Sequence, residues 1–317
     1  MAYDITVIGA AIIDILASPV NADVFSSGSL PMESIKMSFG GDALNETAIL
    51  SGYGKRVQLI SKVGDDEAGK RIRGYLQESG VSVDSVKVEQ GLSTGINIVL
   101  IDEKGERHFL TNPSSSLRKL DLGDILPFME EAAEIVSFAS IFVSPLMTIP
   151  KMKELFSFVK RRGKILAVDM TKAKSGERIQ DIAELLPYID YIFPNEVEIS
   201  LLTGEKDPWR NVETLLKMGV KTAVIKCGEK GCVIGNEKGV FFVPAVPVKE
   251  CVDTTGAGDT FVSGFLWGIS EGWEAMECAK FACAAASYAV ESVGASGGIR
   301  SLEEVKERYM RFYLKNE

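Results

Sequence analysis

Apolar residues run almost unbroken from Asp4 to Leu16, the pattern of a central strand buried on both faces. Residues 57–63, 135–143, 165–168, 191–193 and 222–225 read the same way. Between these runs, helical patterns cover 67–79, 150–162, 196–203 and 208–218. Strands that alternate with helices predict a mainly parallel central sheet with helices on both faces, a three-layer α/β sandwich. The end of the chain turns helical, over 256–270, 274–291 and 301–314.

One stretch breaks the rhythm. Residues 94–102 and 106–111 flank Glu103-Lys104-Gly105 with no helix between them, and apolar residues there alternate with polar ones. That pattern predicts a hairpin with one wet face.

Composition narrows the function. The chain has 317 residues, 46% of them hydrophobic and 25% charged, as in a globular enzyme. A formal net charge of −9 argues against a nucleic-acid partner, which needs a basic face, but leaves a single nucleotide open. No apolar run reaches the ~18 residues of a membrane span. The start, Met-Ala-Tyr-Asp-Ile-Thr-Val, lacks a basic leader, and the five cysteines are odd in number and without metal-ligand spacing. Both points lead us to expect reduced thiols in the cytoplasm. A single histidine, His108, disfavours zinc further.

The most informative segment is 253–266. Gly256, Ala257 and Gly258 sit between Asp253 and Asp259 and lead into an apolar helix. A helix that opens on such small residues offers uncovered N–H groups to an anion, and the helix dipole assists. Asp259, in its first turn, has two readings. It takes a proton from a hydroxyl that attacks a phosphoryl group, or it is an acid placed where a helix start favours one.

A second segment decides between them. Gly40-Gly41-Asp42-Ala43-Leu44-Asn45 opens another helix, with Gly54 and Gly64 at fixed distances downstream. With this pattern ahead of Asp-Thr-Thr-Gly-Ala-Gly-Asp at 253–259, the chain resembles the ribokinase-like (PfkB-type) sugar kinases from about residue 4 to about residue 300. The resemblance implies a ribokinase-like sandwich over 1–317 as one domain. It also implies a small β-sheet lid over the sugar, which we place at about 17–38 and 92–112.

The same resemblance assigns candidate roles. Asp259 would be the general base, and the amides of Gly256, Ala257 and Gly258 would stabilise charge on the transferred group. Asp14, Gly41 and Asn45 would hold the sugar; a carboxylate at Asp14 is costly to bury unless hydroxyls bond to it. Asn97 and Arg107 of the hairpin would add an amide and a cation over it. Asn195 and Glu198 match the family's Asn-x-x-Glu motif, with Glu198 near Mg²⁺ through water; the pair also reads as an N-cap with an acid in the first turn. Lys226, Gly228 and Gly231 would contact the nucleotide, with Lys226 standing where many members have Thr. Asp253, Thr255, Ala289, Ser292 and Gly294 match positions that hold a monovalent cation, K⁺ in this reading. Lids of the family often clasp into dimers, so a homodimer through the lid is expected.

Some matches are rejected. Gly64 to Lys70 fits G-x-x-x-x-G-K, but Arg71 replaces the Ser or Thr that binds Mg²⁺, and three acids in the loop repel phosphate. Gly9-Ala10-Ala11 lacks the dinucleotide fingerprint. Two positions depart from relatives: Val143 stands where ribokinase has Glu, and Cys283 replaces an Asn common near the adenine. The expected function is an ATP-dependent kinase of a sugar or sugar derivative. The rivals are a nucleoside kinase of the same fold and a non-catalytic sugar sensor.

Overall fold

The opening apolar run does not form one strand. In the computed structural model, which describes residues 2–103, 105–292 and 300–314, it splits into β1 (Ile5–Ile8) and β2 (Ile12–Ser18). Only β1 enters the central sheet. β2 crosses into a second sheet, so the expectation of a single central strand over 4–16 is corrected at Gly9-Ala10-Ala11. There the chain bends tightly: a Cβ on Gly9 would lie 2.7 Å from the Ala139 carbonyl oxygen.

The central sheet has nine strands. They are β4 (Val57–Gly64), β5 (Val86–Glu89), β8 (Ile135–Ile141), β9 (Ile165–Met170), β10 (Tyr191–Ile192), β11 (Thr222–Lys226), β12 (Gly231–Asn236) and β13 (Gly239–Pro244), together with β1. Their order is β13-β12-β11-β10-β9-β8-β1-β4-β5. All pairs from β5 to β11 are parallel, while β12 and β13 add an antiparallel edge.

Helices cover both faces because side chains alternate along each buried strand. On one face lie α1 (Asp42–Gly52), α2 (Glu67–Glu78), α7 (Ala257–Ser270), α8 (Ala275–Ala289) and α9 (Leu302–Tyr309), whose Leu44, Ile72, Phe265, Phe281 and Val305 share a core with Val7, Leu59 and Val224. On the other lie α3 (Leu122–Ile125), α4 (Ile149–Arg161), α5 (Glu196–Thr203) and α6 (Pro208–Lys217), whose Ile125, Phe156, Leu202 and Leu215 pack with Ile8, Ile60, Ala223 and Ile225. The helical patterns read from the sequence fall within a residue or two of these bounds, except that the one over 301–314 runs past α9 into a π-helical turn at Met310–Leu314.

The second sheet has four strands, in the order β3 (Ser34–Gly40), β2, β6 (Ile96–Ile101), β7 (Arg107–Thr111). β2 pairs antiparallel with β3 and parallel with β6, and β6 pairs antiparallel with β7. Its inner face buries Asn97 and Val99, whereas Ile35, Met37, Ile98, Phe109 and Leu110 stand exposed on strands that a helix would otherwise cover. Phe39, stacked on Tyr75 at 4.1 Å between ring centroids, seats this sheet on α2.

Candidate functional site

The two sheets meet over the start of α7. Gly256 caps that helix in the left-handed region at φ +74°, a conformation that costs a side-chain-bearing residue, and the helix proper begins at Ala257. The Ala257 amide donates to the Thr254 carbonyl at 3.2 Å, so it is already engaged. That removes one of the three N–H groups expected for an anion. The Gly256 and Gly258 amides have no such partner among the described residues.

Asp259 follows directly. Asn45, projecting from the first turns of α1, donates its amide to Asp259 Oδ2 at 2.6 Å. Burial pushes the Asp259 carboxyl well above the usual carboxylate range; the nearby Asp42 and Asp169 add to the rise, while Asn45 and Lys226 oppose it. The sequence signatures at 40–45 and 253–259, two hundred residues apart, are therefore in hydrogen-bond contact.

Beside this point, the C-terminal ends of β9, β10 and β11 gather a charged cluster. Lys226 bonds to both carboxylate oxygens of Asp169, at 2.9 and 3.0 Å. Its Nζ would lie 3.5 Å from a Cβ on Gly258, which sets a cation at the mouth of the Gly256–Gly258 turn. Asn195 caps α5: its Oδ1 accepts from the Glu198 amide at 2.9 Å, and Glu198 Oε2 accepts from the Asn195 amide at 2.8 Å. The capping reading of this pair is thus correct as local structure. Yet Glu198 does more than cap, because burial raises its carboxyl to about 7, with Asp169 adding and Lys226 opposing. A carboxyl group held at that cost beside other acids is one a divalent cation would relieve. Gly228 and Gly231 bracket a tight turn just beyond Lys226.

The small sheet supplies the opposite wall. Asp14 and Asn97 are paired across β2 and β6, and Asn97 Nδ2 donates to Asp14 Oδ1 at 3.0 Å. Asp14 presses so closely on Gly40 that a Cβ there would come within 2.1 Å of Oδ2. Burial raises the Asp14 carboxyl above its usual range; the Asn97 bond and the charge of Arg107 pull it back. Asn97 Oδ1 is buried with no partner among the described residues, and so has an acceptor to offer. Gly41, the N-cap of α1, adjoins this wall.

Arg107 lies elsewhere than directly over an open cleft. It forms an ion pair with Asp253, whose other oxygen accepts from the Thr255 amide at 3.0 Å. The lid is thereby clasped to the loop before α7. That loop is also tied to the end of α8, since the Val252 and Asp253 amides donate to the Val290 carbonyl at 2.8 and 3.3 Å. Ala289 and Ser292 flank this contact, and Gly294 lies outside the described residues.

Three acids of the site carried no motif. Asp169 ends the apolar strand β9, and a lone charge at the C-terminal end of such a strand was the available signal. Asp42 receives the Ser140 hydroxyl. Glu46 is fully buried, accepts from Ser137 at 2.7 Å, and is pushed well above the usual range by burial.

Comparison with known proteins places this geometry. Residues 2–302 match the model of the pfkB family carbohydrate kinases. The chain is a pfkB-family carbohydrate kinase. A protein named as an uncharacterized sugar kinase of Archaeoglobus fulgidus is 31% identical over 263 residues, covering 79% of this chain and 97% of the relative. The structure of Arabidopsis thaliana ribokinase, complexed with ribose and ATP, superposes with a TM-score of 0.83 at 26% identity over 98% of this chain and 99% of that one. A 5-dehydro-2-deoxygluconokinase of Clostridium perfringens is 26% identical over 96% of this chain and 92% of the relative. The family relationship thus accounts for the large parallel sheet, the separate small sheet and the two glycine-rich helix starts that meet at Asp259.

Proposed function

We propose that this pfkB-family kinase transfers the γ-phosphate of ATP to a hydroxyl of a sugar or sugar derivative, with Asp259 as general base. The observation that carries the reading is the Asn45–Asp259 contact at the start of α7. It fixes a carboxylate of raised proton affinity beside the Gly256–Gly258 turn, where such a group is better matched to a hydroxyl proton.

The sugar lies between Asp14, Asn97 and Gly41 on one side and the hydrogen-bonded Asn45–Asp259 pair on the other. The acceptor hydroxyl gives its proton to Asp259 Oδ as its oxygen forms a bond to the γ-phosphorus. The bond from that phosphorus to the bridging oxygen breaks, and ADP leaves with the electron pair. The Gly256 and Gly258 amides and Lys226 face the negative charge of the group in transfer. Asn195, Lys226, Gly228 and Gly231 hold the nucleotide. Mg²⁺, when bound, neutralises triphosphate charge, and Glu198 with its neighbours is the donor set that would hold it through water.

Further features belong to the same proposal. Asp253, Thr255, Ala289 and Ser292 surround a K⁺ ion that tunes the turn; Asp253 already answers Arg107, so the ion leans mainly on backbone carbonyls. The exposed apolar residues of the small sheet are covered by a second copy in a homodimer. The enzyme works in the cytoplasm, where its five free cysteines stay reduced. No helix among the described residues is long and apolar enough to cross a membrane.

The test is a coupled ADP-release assay with Mg-ATP and a panel of ketoses, aldoses and sugar acids, run in potassium and in tetramethylammonium salts. Sugar-dependent ADP release that is lost in Asp259→Asn supports the reading. Sugar binding without turnover under every condition would replace it with a sensor.

A further inference from the structure

Two cationic side chains near the proposed sugar loop, Arg118 and Lys174, form no ion pair among the described residues. Arg118 ends the short turn Ser116–Arg118 that follows β7, and it is half-buried. Its Nη1 donates to the Val143 carbonyl at 2.5 Å, and no carboxylate among the described residues pairs with it. Burial pulls its guanidinium below the usual range. Lys174 sits on the segment after β9, close enough to feel that guanidinium. Desolvation and then Arg118 lower its ammonium, while Asp42 and Glu177 act the other way. Several other buried or half-buried cations are matched: Lys62 by Asp124 and Glu89, Lys160 by Asp190, Lys226 by Asp169, and Arg107 by Asp253.

The backbone that holds Arg118 is strained. Ser140 and Phe142, neither of them glycine, adopt φ +76° and +74° where β8 ends. Such conformations persist where surrounding structure enforces them, and they cluster at ligand sites. This turn aims the Ser140 hydroxyl at Asp42 and the Val143 carbonyl at Arg118. Asp42 adjoins Gly41 and lies three residues before Asn45, so one turn ties the unanswered guanidinium to the proposed sugar loop.

We infer that Arg118 and Lys174 form an anion subsite beside the proposed sugar loop, and that the acceptor is a sugar bearing a terminal carboxylate or phosphate. The inference rests on the sugar-kinase reading above and narrows its substrate class. The planar fork of Arg118 suits either group, and Lys174 adds a flexible point charge. Asp42 keeps this subsite from holding an unbalanced double cation when it is empty. Arg107 takes no part, since Asp253 engages it.

Steady-state kinetics at fixed Mg-ATP would compare ribose and fructose with a 2-keto-3-deoxy sugar acid and with fructose 6-phosphate. The wild type should favour one anionic acceptor, and which of the two it favours separates carboxylate from phosphate. Arg118→Gln should lower kcat/KM for that acceptor about 10- to 100-fold, mainly through KM, with neutral sugars changed less than about 3-fold. Lys174→Gln, at the surface and safe for folding, should give a smaller loss of the same kind, and Arg118→Lys a partial recovery. Calorimetric binding of the same anionic acceptors reads the subsite without turnover, so a failed kinase assay with binding sensitive to Lys174→Gln would reject the reaction and keep the subsite. A preference for neutral sugars, or equal losses on neutral and anionic acceptors in both variants, would overturn the inference.

Discussion

The two sheets are built from similar strands and differ in what holds them. Every residue of β4 is buried between helices, whereas no residue of β7 is, and two of its five are large exposed apolar side chains. The central sheet draws its order from two hydrophobic cores. The small sheet draws it from a stacked Phe39–Tyr75 pair, from a three-residue joint with β1 and from the Arg107–Asp253 clasp. Asp259, the proposed base, and Asn45 belong to the packed part. Asp14 and Asn97, proposed to grip the sugar, belong to the lightly held part. On that proposal, packing sets geometry and the lid sets affinity.

The sharpest way to break this comparison is at Asp259. Asp259→Asn should lower kcat by about 10²–10⁴ while sugar and ATP still bind; single-turnover rates within a few-fold of the parent would remove it as the base. Next comes stability. Phe265, wholly buried against Phe193 and Tyr191, should cost about 3–5 kcal/mol when changed to Ala, whereas Phe109→Ser on the small sheet should stay within about 0.5 kcal/mol for the monomer. Equal losses in urea denaturation would show that the sheets unfold as one equally packed unit.

Smaller effects sharpen the same division. Asp14→Ala should weaken sugar binding by about 1–3 kcal/mol and leave ATP affinity nearly unchanged, as calorimetry would report. A loss of ATP affinity instead would move Asp14 to the other side of the cleft. Glu198 predicts a pH dependence. Its carboxyl, raised to about 7, is protonated below that value and charged above it, so Mg²⁺ affinity should rise as pH increases from 6 to 8. Glu198→Gln should flatten the profile, and a pH-independent affinity in the parent would exclude Glu198 as the metal's partner.

Much of this was legible in the sequence because the central sheet is buried on both faces. Apolar runs such as 57–63 and 222–225 leave little else to be, and α5 begins where its Asn cap says it should. The split at Gly9-Ala10-Ala11 was not legible. Ile12 and Ile13 are as buried in the small sheet as Ile5 and Val7 are in the large one, so hydropathy alone sees one strand. The hairpin of β12 and β13 hid for another reason: it follows a parallel strand, and only the Asn236–Gly239 turn marks the reversal. At the site, glycine-rich helix starts announce themselves because backbone geometry demands small residues. Asp169, Asp42 and Arg118 do not. Their surroundings arise only when β9, α1 and the segment after β7 converge, and no local spacing encodes that.

The joint between β1 and β2 has a thermodynamic consequence. Asp14 rides on one sheet and Asp259 is anchored beneath the other; three residues of chain join β1 to β2, and Gly41 alone joins β3 to α1. A sugar that touches both carboxylates must bring the sheets to a fixed separation, and its measured dissociation constant is then its intrinsic value divided by the fraction of molecules already at that separation. Substitutions in Gly9-Ala10-Ala11 that alter this fraction would shift the affinities of all bridging sugars by one common factor and leave their ranking untouched. Discrimination between sugars and overall tightness would then be separable properties, written in different residues.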